Sequence, residues 1–175
     1  IALQYRVKST SLNSRFGGLG LLGSLWQYYS GKRGPLTHAG LEAGGFVKTR
    51  PDLVRPDAQI SINLYSLAHE NGQAPVPEKL PGLTLGGYFM WPQSQGEIAI
   101  RSADPDVPPY INANYFSSEI DRKAAVSMYR WLRKLAAQPA LAPFIVSATT
   151  PPNSVNQTDE EIIQIFKEHG ETAFH

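Results

Sequence analysis

The sequence predicts an α+β fold: an antiparallel sheet of about five or six strands with helices packed on one face. Three observations lead there. Several short stretches alternate apolar and polar residues with the period of a half-buried strand. The segments before and after Pro92-Gln-Ser-Gln-Gly96 are joined so briefly that they are expected to pair as an antiparallel hairpin. The long helical patterns gather near the C-terminal end instead of separating the strands, which argues against a parallel βαβ sheet.

The elements follow in order. Residues 1–8 alternate Leu3, Tyr5 and Val7 with Gln4, Arg6 and Lys8, a half-buried strand. A polar and then glycine-rich stretch leads to a short apolar helix over 19–30, with Gly31 placed as its left-handed C-terminal residue. Residues 42–48 form a second strand, and 50–56 a proline-bounded turn. Residues 58–65 set Ile60, Ile62 and Leu64 against Gln59, Ser61 and Asn63. After a loop over 69–81 come strands at 83–91 and 97–102. Ser118-x-x-Asp121 opens a helix reaching about Ala137, with Ala125, Met128, Leu132, Leu135 and Ala136 as its buried stripe and Pro139 beyond it. Thr158-x-x-Glu161 opens another, carrying Ile162, Ile165 and Phe166 and ending at Gly170.

Composition removes several classes of function. With 175 residues, 42% apolar and 18% charged, the chain can bury one sizeable core, here taken as a single domain over 1–175. Sixteen basic and fifteen acidic residues give a net charge of +1, and their spread shows no basic arm or patch for nucleic acid or an anionic surface. There is no cysteine, hence no disulfide or thiolate metal site. No apolar run is long enough to span a bilayer. The compartment is not fixed by these features; a cytoplasmic or peripherally membrane-associated protein is expected. Both ends read as interior cuts, the first opening directly into a strand and the last closing on His175 after a helix.

Gly18-Leu-Gly20-Leu-Leu-Gly23 matches the glycine spacing of a dinucleotide fingerprint, but no strand runs into its first glycine. A flexible entry to a close-packed helix is the better reading. Gln93-Ser94-Gln95-Gly96 has the end of a nucleophile elbow without its first glycine, and a strand instead of a helix follows, so a turn is expected. Asp104 and Asp106 read as turn residues that cap their own backbone. The four histidines, His38, His69, His169 and His175, show no metal-binding spacing on a helix. The first two are expected in solvated loops, and His169 suits the C-terminus of a helix. His175 alone follows a helix on a short extension that could carry it into a cleft; an ordinary tail residue is the competing reading.

Eight phrases recur in a recognisable order and spacing: Gly34-Pro35-Leu36; Glu42-Ala-Gly-Gly-Phe46; Pro56-Asp57-Ala-Gln59; Pro92-Gln-Ser94-Gln-Gly96; Ser102-Ala-Asp104-Pro105; Pro109-Tyr-Ile111-Asn-Ala-Asn114-Tyr115-Phe116; Gln157-Thr-Asp159-Glu160; and Glu171-Thr-Ala-Phe-His175. Together they resemble the substrate-binding half of the glucose–methanol–choline (GMC) flavoprotein oxidoreductases, nearest the choline dehydrogenase and alcohol dehydrogenase branch. The resemblance implies a sheet laid over FAD, and a reaction in which an alcohol CH–OH is oxidised by hydride transfer to the flavin. It implies that His175 is the catalytic histidine of the family's His-Pro-x-Gly-Thr phrase, acting at the substrate hydroxyl. Phe174 would then shape the substrate pocket. Glu42 resembles a pocket carboxylate that meets a cationic substrate, with a solvated strand end as its plain alternative.

The family's usual Ser-Arg-Gly turn is Ser94-Gln95-Gly96 here, which removes one charge. The flavin-binding Rossmann half has no counterpart in these residues, so the expectation is a partner half elsewhere in the same polypeptide. By itself this piece would bind no FAD, show no activity, and expose an apolar surface prone to self-association. The rival expectations are a free-standing binding module without redox chemistry, or a GMC oxidase or lyase.

Overall fold

The computed structural model describes residues 1–8, 11–38, 40–68, 74–151 and 157–172. Its main sheet has five antiparallel strands: β1 (Ala2–Val7), β2 (Ala43–Val47), β3 (Ala58–Asn63), β6 (Gly82–Phe89) and β9 (Ile145–Thr150), ordered β2-β3-β6-β1-β9. Two small ribbons lie outside it, β4 (Leu67–Ala68) with β5 (Val76–Pro77), and β7 (Glu97–Ala99) with β8 (Tyr110–Asn112). The helices are α1 (Gly18–Gly31), α2 (Glu119–Ala136) and α3 (Asp159–His169).

The strand alternation selects the buried side. Leu3 stands opposite Leu85, which stands opposite Ile62, and Tyr5 opposite Leu83. These residues share one face of the sheet. Leu3, Leu83 and Leu85 join Ala125, Met128 and Leu132 of α2 and Ile162, Ile165 and Phe166 of α3 in the core. A Cβ on Gly87 would stand 3.2 Å from Met128 Sδ and 3.3 Å from Leu132 Cδ1, so glycine lets α2 approach β6 closely. The α+β architecture with helices against one face of an antiparallel sheet is therefore as the sequence predicts.

The expected hairpin between 83–91 and 97–102 does not form. β6 is flanked by β1 and β3, so neither of its edges is open to a further strand. Residues 97–99 instead pair with β8, setting Ile98 against Ile111. The main sheet's fifth strand is β9, which pairs with β1 through two register shifts. Its β-branched run Ile145-Val-Ser-Ala-Thr-Thr150 is the local signal for it.

Helix ends show where side chains outcompete backbone rules. The left-handed residue closing α1 is Lys32 (φ 49°), not Gly31; its Nζ lies 4.3 Å from the centre of the Tyr28 ring. Thr158 and Glu161 form the full reciprocal box at α3: each side chain accepts from the other's backbone N–H, at 3.2 and 2.8 Å. At α2, Ser118 caps Ile120 N–H, but Asp121 does not return to the cap. Its buried carboxylate accepts from Gln93 N–H at 2.8 Å and Ser94 N–H at 2.6 Å. Ser94 Oγ in turn accepts from Ser118 N–H at 3.1 Å, tying the 92–96 turn to the start of the helix.

Candidate functional site: the open face of the sheet

The side of the sheet away from α2 and α3 is made of different residues. By alternation it presents Gly44 and Phe46 on β2, Gln59, Ser61 and Asn63 on β3, Thr84, Gly86 and Tyr88 on β6, and Ala2 and Gln4 on β1. Gly44, Ser61, Gly86 and Ala2 lie in register across four strands and form a shallow row of small residues. Phe46, Gln59 and Tyr88 form the next row, with the Tyr88 hydroxyl donating to Gln59 Oε1. Such a floor lets a flat group approach the backbone closely.

The other flank of this face is closed by the chain itself. Gln4 Nε2 donates to Leu67 O at 3.0 Å and its Oε1 accepts from Leu67 N–H at 2.7 Å, while Thr84 Oγ1 donates to Tyr65 O at 2.7 Å. Asn13 adds an amide donated to Ser66 O at 2.8 Å and to Glu78 O at 2.9 Å. The segment 65–68 is thereby laced over Gln4 and Thr84, and the uncovered part begins at Ser61, Gly86 and Gly44. Asn63 Oδ1 is a buried acceptor without a donor among the described residues.

Glu42 precedes the edge strand β2 and donates its N–H to Ile62 O at 3.0 Å. Its Oε2 lies 3.6 Å from His38 Nδ1, and its side chain is 26% exposed. His38 is thus not simply a solvated loop residue, a pairing that sequence spacing missed because residues 40–42 are not helical. His175 and Phe174 lie outside the described residues, as does His69. His169 ends α3, and Asp104 Oδ1 accepts from Asp106 N–H at 3.0 Å, a self-capping turn as expected. Trp91 is 44% exposed and donates its indole N–H to Pro56 O at 3.0 Å beneath the Arg55 guanidinium.

The glycine-rich stretch at 18–23 has no strand before it; a 3-10 turn at Leu12–Arg15 takes that place. A Cβ on Gly20 would fall 1.8 Å from Ser14 O, so the glycine serves helix packing. Among the described residues, no group of three or more His, Asp or Glu is placed to hold a metal. A surface cleft of about 540 Å³ between α2 and α3 is lined by Glu119, Arg122, Asp159 and Lys167 among others. It belongs to the helical side and not to the open face. Val126 and Ile163 are its only apolar lining and charged side chains make up most of the rest, so the open sheet face is the better candidate.

Comparison with known proteins agrees with this geometry. Residues 92–175 match the family model described as GMC oxidoreductase. The oxygen-dependent choline dehydrogenase of Pseudomonas putida is 37% identical over 134 residues, covering 77% of this chain and 23% of the relative. That of Staphylococcus saprophyticus is 32% identical over 149 residues, covering 85% and 26%. The chain thus spans about a quarter of the length of these relatives. Among solved structures, Aspergillus oryzae formate oxidase superposes with a TM-score of 0.78 at 19% identity, over 100% of this chain and 35% of that one. No described helix is long and apolar enough to cross a membrane. With relatives above 30% identity across most of its residues and the same fold, the chain belongs to the GMC oxidoreductase family and corresponds to the C-terminal domain of its members.

Proposed function

We propose that this chain is the substrate-side domain of an FAD-dependent alcohol dehydrogenase of the choline dehydrogenase type, with the flavin-binding half elsewhere in the same polypeptide. The observation that carries the proposal is the open sheet face: a floor of small residues beside a Tyr88–Gln59 pair, on a sheet whose other face is fully occupied. The residues suit the flat ring of a flavin and not its nucleotide, since among the described residues no strand-to-helix glycine turn is present to meet a pyrophosphate. When bound, FAD supplies the two-electron acceptor for hydride from the alcohol carbon.

In this reading His175 is the base. A neutral imidazole has an unperturbed pKa of about 6.5 and can take the hydroxyl proton. The imidazolium so formed stabilises negative charge on the substrate oxygen. Phe174 beside it would narrow the pocket. Glu42, whose carboxylate lies 3.6 Å from His38 Nδ1 at the edge strand, would favour an alcohol bearing positive charge. The 175 residues alone would neither bind FAD nor turn over.

The test uses the whole gene product, purified and assayed with a cationic and a neutral alcohol. It should be yellow, and His175→Ala should keep the colour while turnover falls by roughly 10²–10⁴-fold. Glu42→Gln should raise KM for the cationic alcohol more than for the neutral one. A colourless protein, or an undiminished His175→Ala variant, rejects the proposal; equal KM changes reject the role of Glu42 alone.

A further inference from the structure

Helix α1 is turned the wrong way for a water-soluble surface. Its fourteen residues, Gly18–Gly31, contain no charged side chain. Its one fully buried side chain is Ser24, whose hydroxyl donates to Gly20 O at 2.9 Å and Arg15 O at 3.1 Å. Leu19, Leu22, Trp26 and Tyr29, spaced at three and four residues, are 87%, 62%, 73% and 75% exposed. That spacing sets them on one stripe along a rod about 21 Å long, at 1.5 Å per residue.

Along the sequence the charge is one-sided, which the even balance of the whole chain conceals. All fifteen carboxylates lie at or beyond Glu42, while Arg6, Lys8, Arg15, Lys32 and Arg33 precede it. Arg6 is neutralised by Glu78 at 3.1 Å. Lys32 and Arg33 are exposed at the C-terminal end of the stripe, and the Arg15 guanidinium lies beside Gln27 in the same half of the helix, donating to its Oε1 at 3.0 Å. Among the described residues, none of these three has a carboxylate partner.

We infer that α1 is a docking surface for an anionic lipid bilayer, lying in the headgroup plane with its Leu/Trp/Tyr stripe inserted and Lys32 and Arg33 on lipid phosphates. Trp and Tyr suit that boundary because each joins an apolar ring to a polar edge. Cations flanking an apolar stripe add electrostatic attraction to anionic headgroups. The exposed Ile98, Ile100 and Ile111 patch differs: Glu97, Asp104 and Asp106 accompany Arg101 on its segment, so it has no such bias. This inference is independent of the redox proposal.

The experiment is co-sedimentation of the whole gene product with vesicles of phosphatidylcholine alone, and of phosphatidylcholine mixed with phosphatidylglycerol. Binding to the mixed vesicles that weakens with added salt is expected. Leu22→Ser combined with Trp26→Ser should cut it by roughly tenfold or more. Lys32→Gln with Arg33→Gln should cut it several-fold and flatten the salt dependence. Circular dichroism matching the unchanged protein would show that each variant folds. Equal or absent binding to both vesicle types overturns the inference. So does a Trp26 shielded from acrylamide quenching without lipid, which would mean the stripe is covered by other parts of the polypeptide. A dimer in solution that Leu22→Ser and Trp26→Ser dissociate would also overturn it, assigning the stripe to a second copy.

Discussion

The two faces of the central sheet use the same strands for opposite ends. On the helical side, Leu3, Leu83, Leu85 and Ala58 meet Met128 and Leu132, and each is almost wholly withdrawn from water. On the open side, the intervening residues of the same strands are Gly44, Ser61, Gly86, Gln59 and Tyr88, small or polar and short of apolar contact. One face is stabilised by folding itself; the other depends on what is brought against it. The alternation of a strand thus encodes a core and a platform together, and the two should respond differently to mutation.

The largest contrast is between Leu85 and Phe46. Leu85 is fully buried at the sheet centre, whereas Phe46 is 62% exposed on the edge strand. Leu85→Ala should cost about 2–5 kcal/mol in chemical denaturation, through lost burial and the cavity left behind. Phe46→Ala should cost less than about 1 kcal/mol, as expected at a site with little to lose. Equal costs would mean that the open face is as packed as the covered one.

Asp121 sharpens the comparison, because it links the helical layer to the 92–96 turn. Its two accepted N–H groups, from Gln93 and Ser94, have no other acceptor among the described residues. Asp121→Ala would leave both unsatisfied, at about 1–3 kcal/mol each if they stay buried, less what water recovers. A loss of about 2–4 kcal/mol is expected. Hydrogen exchange at Gln93 and Ser94 should accelerate more than exchange in β6. Unchanged exchange there would show that the turn holds itself.

The sequence revealed these elements unevenly. Alternation at Gln59–Asn63 and the Thr158–Glu161 box were readable because each depends on residues a few positions apart. The partner of β7 was not, since pairing depends on which sheet edges remain free, and β1 and β3 had taken those of β6. Asp121 looked like a capping residue because its partners lie 27 and 28 positions away. Of the site, Glu42 could be named from its phrase, but its contact with His38 became visible only in the fold. The open face was half legible: Gln59, Ser61 and Asn63 marked a polar side, while its lack of cover is a tertiary fact.

The smallest expected effect concerns Tyr5, the one core residue of β1 that brings a hydroxyl to the helical side. It is 4% exposed, and among the described residues its Oη makes no well-formed hydrogen bond, although the Arg133 guanidinium approaches it. Burial raises its pKa above the ordinary value of 10.0, and the Arg133 guanidinium pulls it part of the way back. A raised folded-state pKa means the folded protein keeps the phenol proton while the unfolded chain loses it. The associated stability is fully present below pH about 10 and is lost as pH rises through the folded value. Tyr129 shares the direction through burial, but its hydroxyl is bonded to Gln157 Oε1 at 2.5 Å. Tyr5→Phe should therefore change stability near neutrality by less than about 1 kcal/mol, since only the loose approach of Arg133 is surrendered. It should also soften the alkaline fall, whereas Tyr129→Phe should lose its bond to Gln157 and cost more at every pH below about 10. Denaturation midpoints measured from neutral to strongly alkaline pH decide the matter. An alkaline limb unchanged in Tyr5→Phe would show that this phenol ionises as readily in the folded protein as in the unfolded chain.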